Sequence, residues 1–421
     1  MTVRRRTPVW LMGLTNSLFG MYGGILVIAV PQLLSARHVA EATIAGMTAA
    51  AISPGFWTFL ACPILDVRFS RRWYSVVTAF LAAGLLAAAL THLQHLVLVE
   101  VFLVAGFFFA NLYQSALGGW LSSIISADEE HALSVWVTIA NISGGGAMAM
   151  MTGEIVQRLS PAAAALVLGV IVLLPTVIFC WMPAPGPDRR LARESFPQFF
   201  AEVISLLKRR EILIALVLFI APASTFSLVN ILGGLGGDFN TSSHFVGLVG
   251  GAGVLIAGIA GCLMFPLVHR ALPLRYLYLV IGVVGSGFTL ALLALPRTPW
   301  AFAAALIGEN VFQSLSITAS TAITFATIGR ANPLAATTYC LMVSAFNVAN
   351  TYMLVVDGWG YAWRGVAGSY VVDACASLVA CLLLGILLAK LSRRETASIA
   401  ATRTHTATAV NSPAEQSARK I

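Results

Sequence analysis

The sequence predicts an all-α membrane protein of twelve transmembrane helices, arranged as two pseudo-symmetric six-helix bundles. Three observations carry that reading: the composition is too apolar for water, twelve apolar runs are each long enough to cross a bilayer, and the two halves repeat short motifs at a nearly constant offset. Of 421 residues, 58% are hydrophobic and 10% charged, with a mean hydropathy of +0.87, whereas a soluble domain carries about 25% charged residues. A soluble fold has nowhere to bury that much apolar surface.

Runs of the spanning length, about 20 residues, fall near 9–33, 42–65, 73–91, 96–121, 133–156 and 162–182, and again near 211–235, 245–267, 275–295, 300–328, 335–356 and 367–390. They are numbered here as helices 1 to 12. Arg4, Arg5 and Arg6 precede helix 1 as they would a secretory leader. That run is too long for a leader's apolar core and further spans follow, so it is read as an uncleaved helix. With both termini on the cytoplasmic side, 21 of the 25 Lys and Arg fall on inner segments, and only Arg37, Arg158, Arg297 and Arg364 lie outside. This is the bias that sets membrane orientation, and one missed helix would scramble it. The expected location is therefore the inner (plasma) membrane, multi-pass, with cytoplasmic termini. The formal charge of +8 reflects topology, and no nucleic-acid partner is expected.

Residues 1–182 form the expected N-terminal bundle and 211–391 the C-terminal one. Between them, 183–210 opens with Pro183, Pro185, Gly186 and Pro187, turns basic, and then repeats apolar residues at Phe196, Phe199, Phe200, Val203, Leu206 and Leu207. That spacing predicts an amphipathic helix lying on the membrane surface. The tail 392–421, rich in Thr, Ala, Ser and Arg, is expected to be disordered. The six cysteines, Cys62, Cys180, Cys262, Cys340, Cys375 and Cys381, sit in apolar runs without metal-ligand spacing and read as small packing residues.

The repeat is direct. Asn111-Leu-Tyr-Gln114-Ser115 in helix 4 is echoed by Asn310-Val-Phe-Gln313-Ser314 in helix 10, 199 residues later; Pro63-Ile-Leu-Asp66 closing helix 2 is echoed by Pro266-Leu-Val-His269 closing helix 8, 203 later. Each match pairs a helix with the sixth one after it, as a parallel duplication of a six-helix unit requires.

Several stretches resemble the major facilitator superfamily and, within it, AmpG-type muropeptide permeases. They are Phe59-Leu-Ala-Cys-Pro63-Ile-Leu-Asp66 with Arg71-Arg72-Trp73, Glu309-Asn310, Ala336-Thr337-Thr338-Tyr339 and Val356-Asp357-Gly-Trp359. Helix 4 departs from that pattern, carrying Gln114-Ser115 where AmpG-like chains tend to have Gln-Asp. The resemblance implies the major facilitator fold and proton-coupled uptake of an amphiphilic solute such as a muropeptide by alternating access. Siderophore importers of the same superfamily are the second reading. The implied energy source is a proton gradient, with no cofactor, and the implied partners are a small-molecule solute and the lipid bilayer, the protein acting as a monomer. The resemblance further implies that helices 1, 4, 7 and 10 line a central cavity.

On those helices and their neighbours the candidate solute-binding residues are Asn16, Tyr22, Asn111, Tyr113, Gln114, Asn141, Asn230, Asn310 and Gln313. Amides one helical turn apart present paired donors and acceptors to a hydrogen-bonding solute; amides also routinely bond neighbouring helices in membrane bundles. Gly20 and Gly23 share a face with Asn16 and would allow close approach. Glu309 lies well inside helix 10, where a charged carboxylate costs about 2.5 to 3.5 kcal/mol on insertion scales, so it faces water, meets a partner or holds a proton. It is the candidate proton carrier, with Glu100 behind it. Asp373 reads as a wetted structural acid near the outer face. Asp66, Arg68, Arg71 and Arg72 sit where major facilitators place an inner-loop latch of ion pairs, which as exposed pairs would contribute about 0.2 to 1 kcal/mol each. In the second half His269 replaces the acid, predicting a weaker or pH-dependent latch. Asp128, Glu129, Glu130 and His131 read as a solvated turn, and Gly247, Gly250, Gly251 and Gly253 as a close helix-packing stripe rather than a nucleotide loop. No catalytic or metal constellation stands out, so an enzyme is not expected; a membrane sensor or enzyme without transport is the reading from another class.

Overall fold

The structure is a computed structural model that describes residues 7–184, 196–329 and 332–410. Among the described residues the regular elements are all helical. Among the described residues nine helices are long and apolar enough to cross a membrane. The last of these, spanning Ala335–Arg393, turns back on itself at Arg364 and Gly365 and supplies helices 11 and 12. Two interrupted segments complete the twelve. Helix 2 runs as Glu41–Ile52, Pro54–Trp57 and 3-10 turns ending at Asp66. Helix 7 runs as Arg210–Ile220, then an unwound stretch, then Val229–Leu232 and the turn Gly233–Phe239.

Helix starts follow from local chemistry. Ser70, Ser160, Ser242 and Thr298 each accept a backbone N–H from three residues on, satisfying one of the orphan donors of the first turn. Pro161 and Pro299 sit at first-turn positions that need no donor. Gly365 takes φ +59 between helices 11 and 12, a backbone conformation that favours glycine.

Each half buries its own core. One cluster is built around Leu18, Tyr22, Leu86, Tyr113 and Trp120, and another around Phe219, Phe265, Tyr278 and Ala322. A separate small cluster of Cys62, Leu65, Leu112, Ala116, Ala336 and Cys340 joins the halves. The linker helix Phe196–Leu207 seats Leu206 against the C-terminal core and leaves Ile204 and Leu207 exposed. Pro185, Gly186, Pro187 and Arg4, Arg5 and Arg6 lie outside the described residues. Helical backbone continues to Val410, past residue 392 where the sequence suggests loss of order; the alanines there are strong helix formers. Residues 411–421 are outside the described set.

Candidate functional site

A cavity of about 130 Å³ lies between the halves. Its N-terminal wall comes from Asn16, Gln114, Thr138 and Asn141 of helices 1, 4 and 5, and its C-terminal wall from Phe219, Ser320, Thr321, Thr324, Tyr339 and Asn347 of helices 7, 10 and 11. None of the lining residues is charged. Asn16 donates to the Val137 carbonyl at 3.2 Å and Asn347 to the Gly55 carbonyl at 3.0 Å, which fixes both amides at the wall. A second cavity of about 520 Å³ shares Asn141 and follows helix 1 from Gly20 to Gln32, away from the termini. Gly247, Gly250 and Gly251 line this second space; a Cβ on Gly247 or Gly251 would meet nothing within 4 Å, so these two glycines leave room rather than pack a neighbour. Gly20 does pack tightly, on the Asn141 backbone, whereas Gly23 opens on the cavity.

The remaining candidates from helices 1, 4, 7 and 10 stand elsewhere. Asn111 and Asn310 spend their amides on carbonyls of their own helices, Phe107 at 2.8 Å and Leu306 at 2.7 Å. Tyr22 donates to Leu103 O and Tyr113 to Thr15 O, both fully buried in the N-terminal core. Gln313 donates to the Phe226 carbonyl at 3.4 Å, and Asn230 is exposed. The half-buried Glu100 lies near the start of helix 4 and lines neither cavity. Helices 5 and 11 contribute wall residues that the family expectation of helices 1, 4, 7 and 10 passes over, and helix 10 contributes hydroxyls rather than its amides.

The end of the molecule that carries the termini is shut by contacts between the halves. Asp66 is 0% and Arg71 4% exposed, and the guanidinium reaches Asp66 Oδ1 at 2.9 Å. The Asp66 carboxylate accepts the Ala336 N–H at 3.1 Å, the Thr337 N–H at 2.8 Å and the Thr337 hydroxyl at 2.7 Å. An acid of the N-terminal half thus caps helix 11 of the C-terminal half, where orphan N–H groups and the helix dipole favour a negative charge. Arg71 donates on to the carbonyls of Pro333 at 2.9 Å and Asn332 at 3.4 Å. The latch is therefore buried and bridges the halves through backbone, unlike the exposed ion pairs the sequence suggests. Arg68 and Arg72 stack instead over Phe69 and Trp120. Gly118 and Gly119 of helix 4 make room for Tyr339 and Ala336: a Cβ on Gly119 would sit 2.6 Å from the Ala336 nitrogen. On the symmetry-related side, the His269 ring lies 4.5 Å from that of His131, so His131 belongs to a contact between halves. Ser126 and Glu129 just before it form a capping box. Cys62 and Cys340 are joined as a disulfide, which replaces the packing role expected of them.

A third feature lies inside the C-terminal half, where helix 7 unwinds with Ser224 and Phe226 at positive φ. Its freed polar groups are bonded by neighbours: Ser316 donates to Ser224 O at 2.5 Å, and Ser224 donates to Tyr278 O at 2.6 Å. Irregular backbone at membrane depth is tolerated where protein satisfies it, and broken helices build ion and solute sites in transporters. Ser227, at the end of the break, contacts Asp357 of helix 11 at 2.5 Å and Asp373 of helix 12 at 3.4 Å. Asp373 is 4% exposed, so it is a buried member of a cluster and not the wetted acid expected. Glu309, 0% exposed, is absent from the lining of the central cavity and meets the Thr289 hydroxyl of helix 9 at 2.5 Å. Among the described residues no Lys or Arg forms an ion pair with any of the three acids. Helix-to-helix contact of Ser227 and two distant acids leaves no trace in sequence spacing.

No family model matches the chain, and no curated relative matches it. Solved structures do. The fucose:proton symporter FucP of E. coli superposes with a TM-score of 0.67 at 14% identity, over 90% of this chain and 98% of that one. The human organic anion transporter MFSD10 gives 0.66 at 14% identity, over 89% and 98%. The proton:xylose symporter XylE gives 0.64 at 13% identity, over 89% and 95%. The chain has the major facilitator fold. Within that fold the uncharged cavity lies between the two bundles, the capped seam closes one end of it, and the acids sit inside the second bundle. The major facilitator fold also accounts for the pairing of each helix with its sixth successor. That fold is one of a multi-pass membrane protein.

Proposed function

We propose that the protein is a secondary transporter that moves a neutral, hydrogen-bonding solute with an apolar face by alternating access, coupled to protons. Its orientation is the one set by the arginine bias, with the capped seam cytoplasmic. The observation that carries the solute class is the cavity wall, which combines amides and hydroxyls with Phe219, Tyr339 and other apolar side chains and holds no charge. Such a wall recognises a sugar-like or amphiphilic neutral compound. A muropeptide brings carboxylates, for which this wall offers no cation, so an uncharged portion of such a molecule is the better match.

Proton coupling rests on hydrogen-bond counting. The Ser227 hydroxyl has one hydrogen and contacts two carboxyls; the Thr289 hydroxyl has one and contacts both Gly285 O and Glu309. Protons carried by the carboxyls make up the difference, and Glu309 Oε2 and Asp357 Oδ1 are buried without a partner. Glu309 is the proposed proton carrier, with Asp357 and Asp373 as its reservoir. FucP and XylE, which have this fold, are proton symporters, and that supports the choice of ion proposed for this chain. The test uses purified protein in vesicles, a panel of labelled neutral sugars, amphiphiles and muropeptides, and an imposed pH gradient. Glu309→Gln should lose gradient-driven accumulation while keeping solute exchange at zero gradient. Full accumulation by that variant would end proton coupling through Glu309, and uptake of charged muropeptides alone would end the neutral-solute reading.

A further inference from the structure

We propose that Cys62 and Cys340 form an oxidation site that locks the carrier shut at the end bearing its termini; the proposal rests on the alternating-access reading above. The two cysteines are 278 residues apart, one in each half, with Cα atoms 6.5 Å from each other and side chains 0% and 3% exposed. Cys62 lies in the 3-10 segment that ends at Asp66, and Cys340 lies one turn beyond the Ala336 and Thr337 amides that Asp66 caps. The disulfide therefore spans the surface that must part when the cavity opens to this side. With free thiols that surface is held by hydrogen bonds, which break and re-form. With the disulfide it is held by a covalent bond that only reduction releases.

Compartment chemistry makes this a switch. The arginine bias places the seam on the cytoplasmic side, where thiol pools keep cysteines reduced and disulfides are commonly transient or sensing. A hydroperoxide supplies the oxidant. One thiolate attacks the peroxide oxygen, the O–O bond breaks, and a sulfenic acid and water form; the second thiol attacks the sulfenic sulfur, the S–O bond breaks, and the disulfide and a second water form. Two thiols and one hydrogen peroxide thus give one disulfide and two waters. Both sulfurs are buried when the seam is closed, so the first step belongs to the open state and the second to closure. Cys180, Cys262, Cys375 and Cys381 are free in the structure.

The experiment treats full-length protein in vesicles with hydrogen peroxide, with and without later dithiothreitol. A cross-linked Cys62–Cys340 peptide is sought by mass spectrometry, and hydrogen exchange is followed at the amides of 335–340. Oxidation should yield the peptide and slow exchange at those amides at least tenfold, dithiothreitol should restore the faster rate, and Cys62→Ala and Cys340→Ala should each abolish the response. A cross-link that leaves exchange unchanged, while the reduced seam does open, overturns the lock and leaves the carrier reading standing. No cross-linked peptide under any peroxide dose overturns the oxidation site. Exchange that is equally slow in reduced protein overturns the lock together with alternating access.

Discussion

Replacing Asp66 with Asn changes one atom type at the point where the halves meet. Three bonds from the Asp66 carboxylate cross the seam, to Ala336 N, Thr337 N and the Thr337 hydroxyl, while its pairing with Arg71 stays within the N-terminal half. A hydrogen bond to a charged group is worth about 1.5 to 3 kcal/mol net and a neutral one about 0.5 to 1.5. The asparagine keeps one acceptor, turns an NH₂ toward backbone donors and leaves the buried Arg71 without its counter-charge. The closed seam should therefore lose about 2 to 4 kcal/mol relative to the open one, a shift of roughly 30- to 800-fold in the ratio of states. Distances between probes attached by non-cysteine chemistry at Asp128 and Ala271, exposed on opposite halves at this end, would read the ratio by pulsed electron resonance. A distance distribution identical to that of the parent, in a folded Asp66→Asn protein kept reduced so that Cys62 and Cys340 are free thiols, would refute the cap as the element that holds the seam.

Gly119→Val should act at the same surface by overpacking, since its Cβ lands on the Ala336 backbone; about 1 to 3 kcal/mol against closure is expected, visible in the same probe distances. His269→Asp should pair with the His131 ring and favour closure, which those distances would show as a shift in the opposite direction. Ser227→Ala strips Asp357 Oδ2 of its donor and should destabilise by about 1 to 3 kcal/mol. Thermal unfolding in detergent measures that loss, and a cycle with Asp357→Asn should give a coupling of at least about 0.5 kcal/mol.

The spans and the duplication were legible because hydropathy and motif offset act along the chain. The break in helix 2 falls at Ser53-Pro54, inside a run that reads as one span by hydropathy, while Asp66 stood out by its position. The partner of Asp66 was not legible, because the Ala336 and Thr337 amides are 270 residues away and backbone donors leave no side-chain signal. Amides drew attention as solute ligands, yet Asn111 and Asn310 satisfy themselves within their own helices. The hydroxyls of Ser320, Thr321 and Thr324 reach the cavity although each bonds its own helix. Cysteines in apolar runs read as filler until tertiary structure placed two of them together.

In the proposed alternating-access cycle, the cap on helix 11 sets a requirement on every turnover. When the seam parts, the Asp66 carboxylate and the two amides and hydroxyl it bonds must each find water, and on closing they must give it up again. Opening at this end is therefore a wetting event, and closing a drying one. Each passage through that proposed cycle would then include the filling and emptying of a narrow crevice.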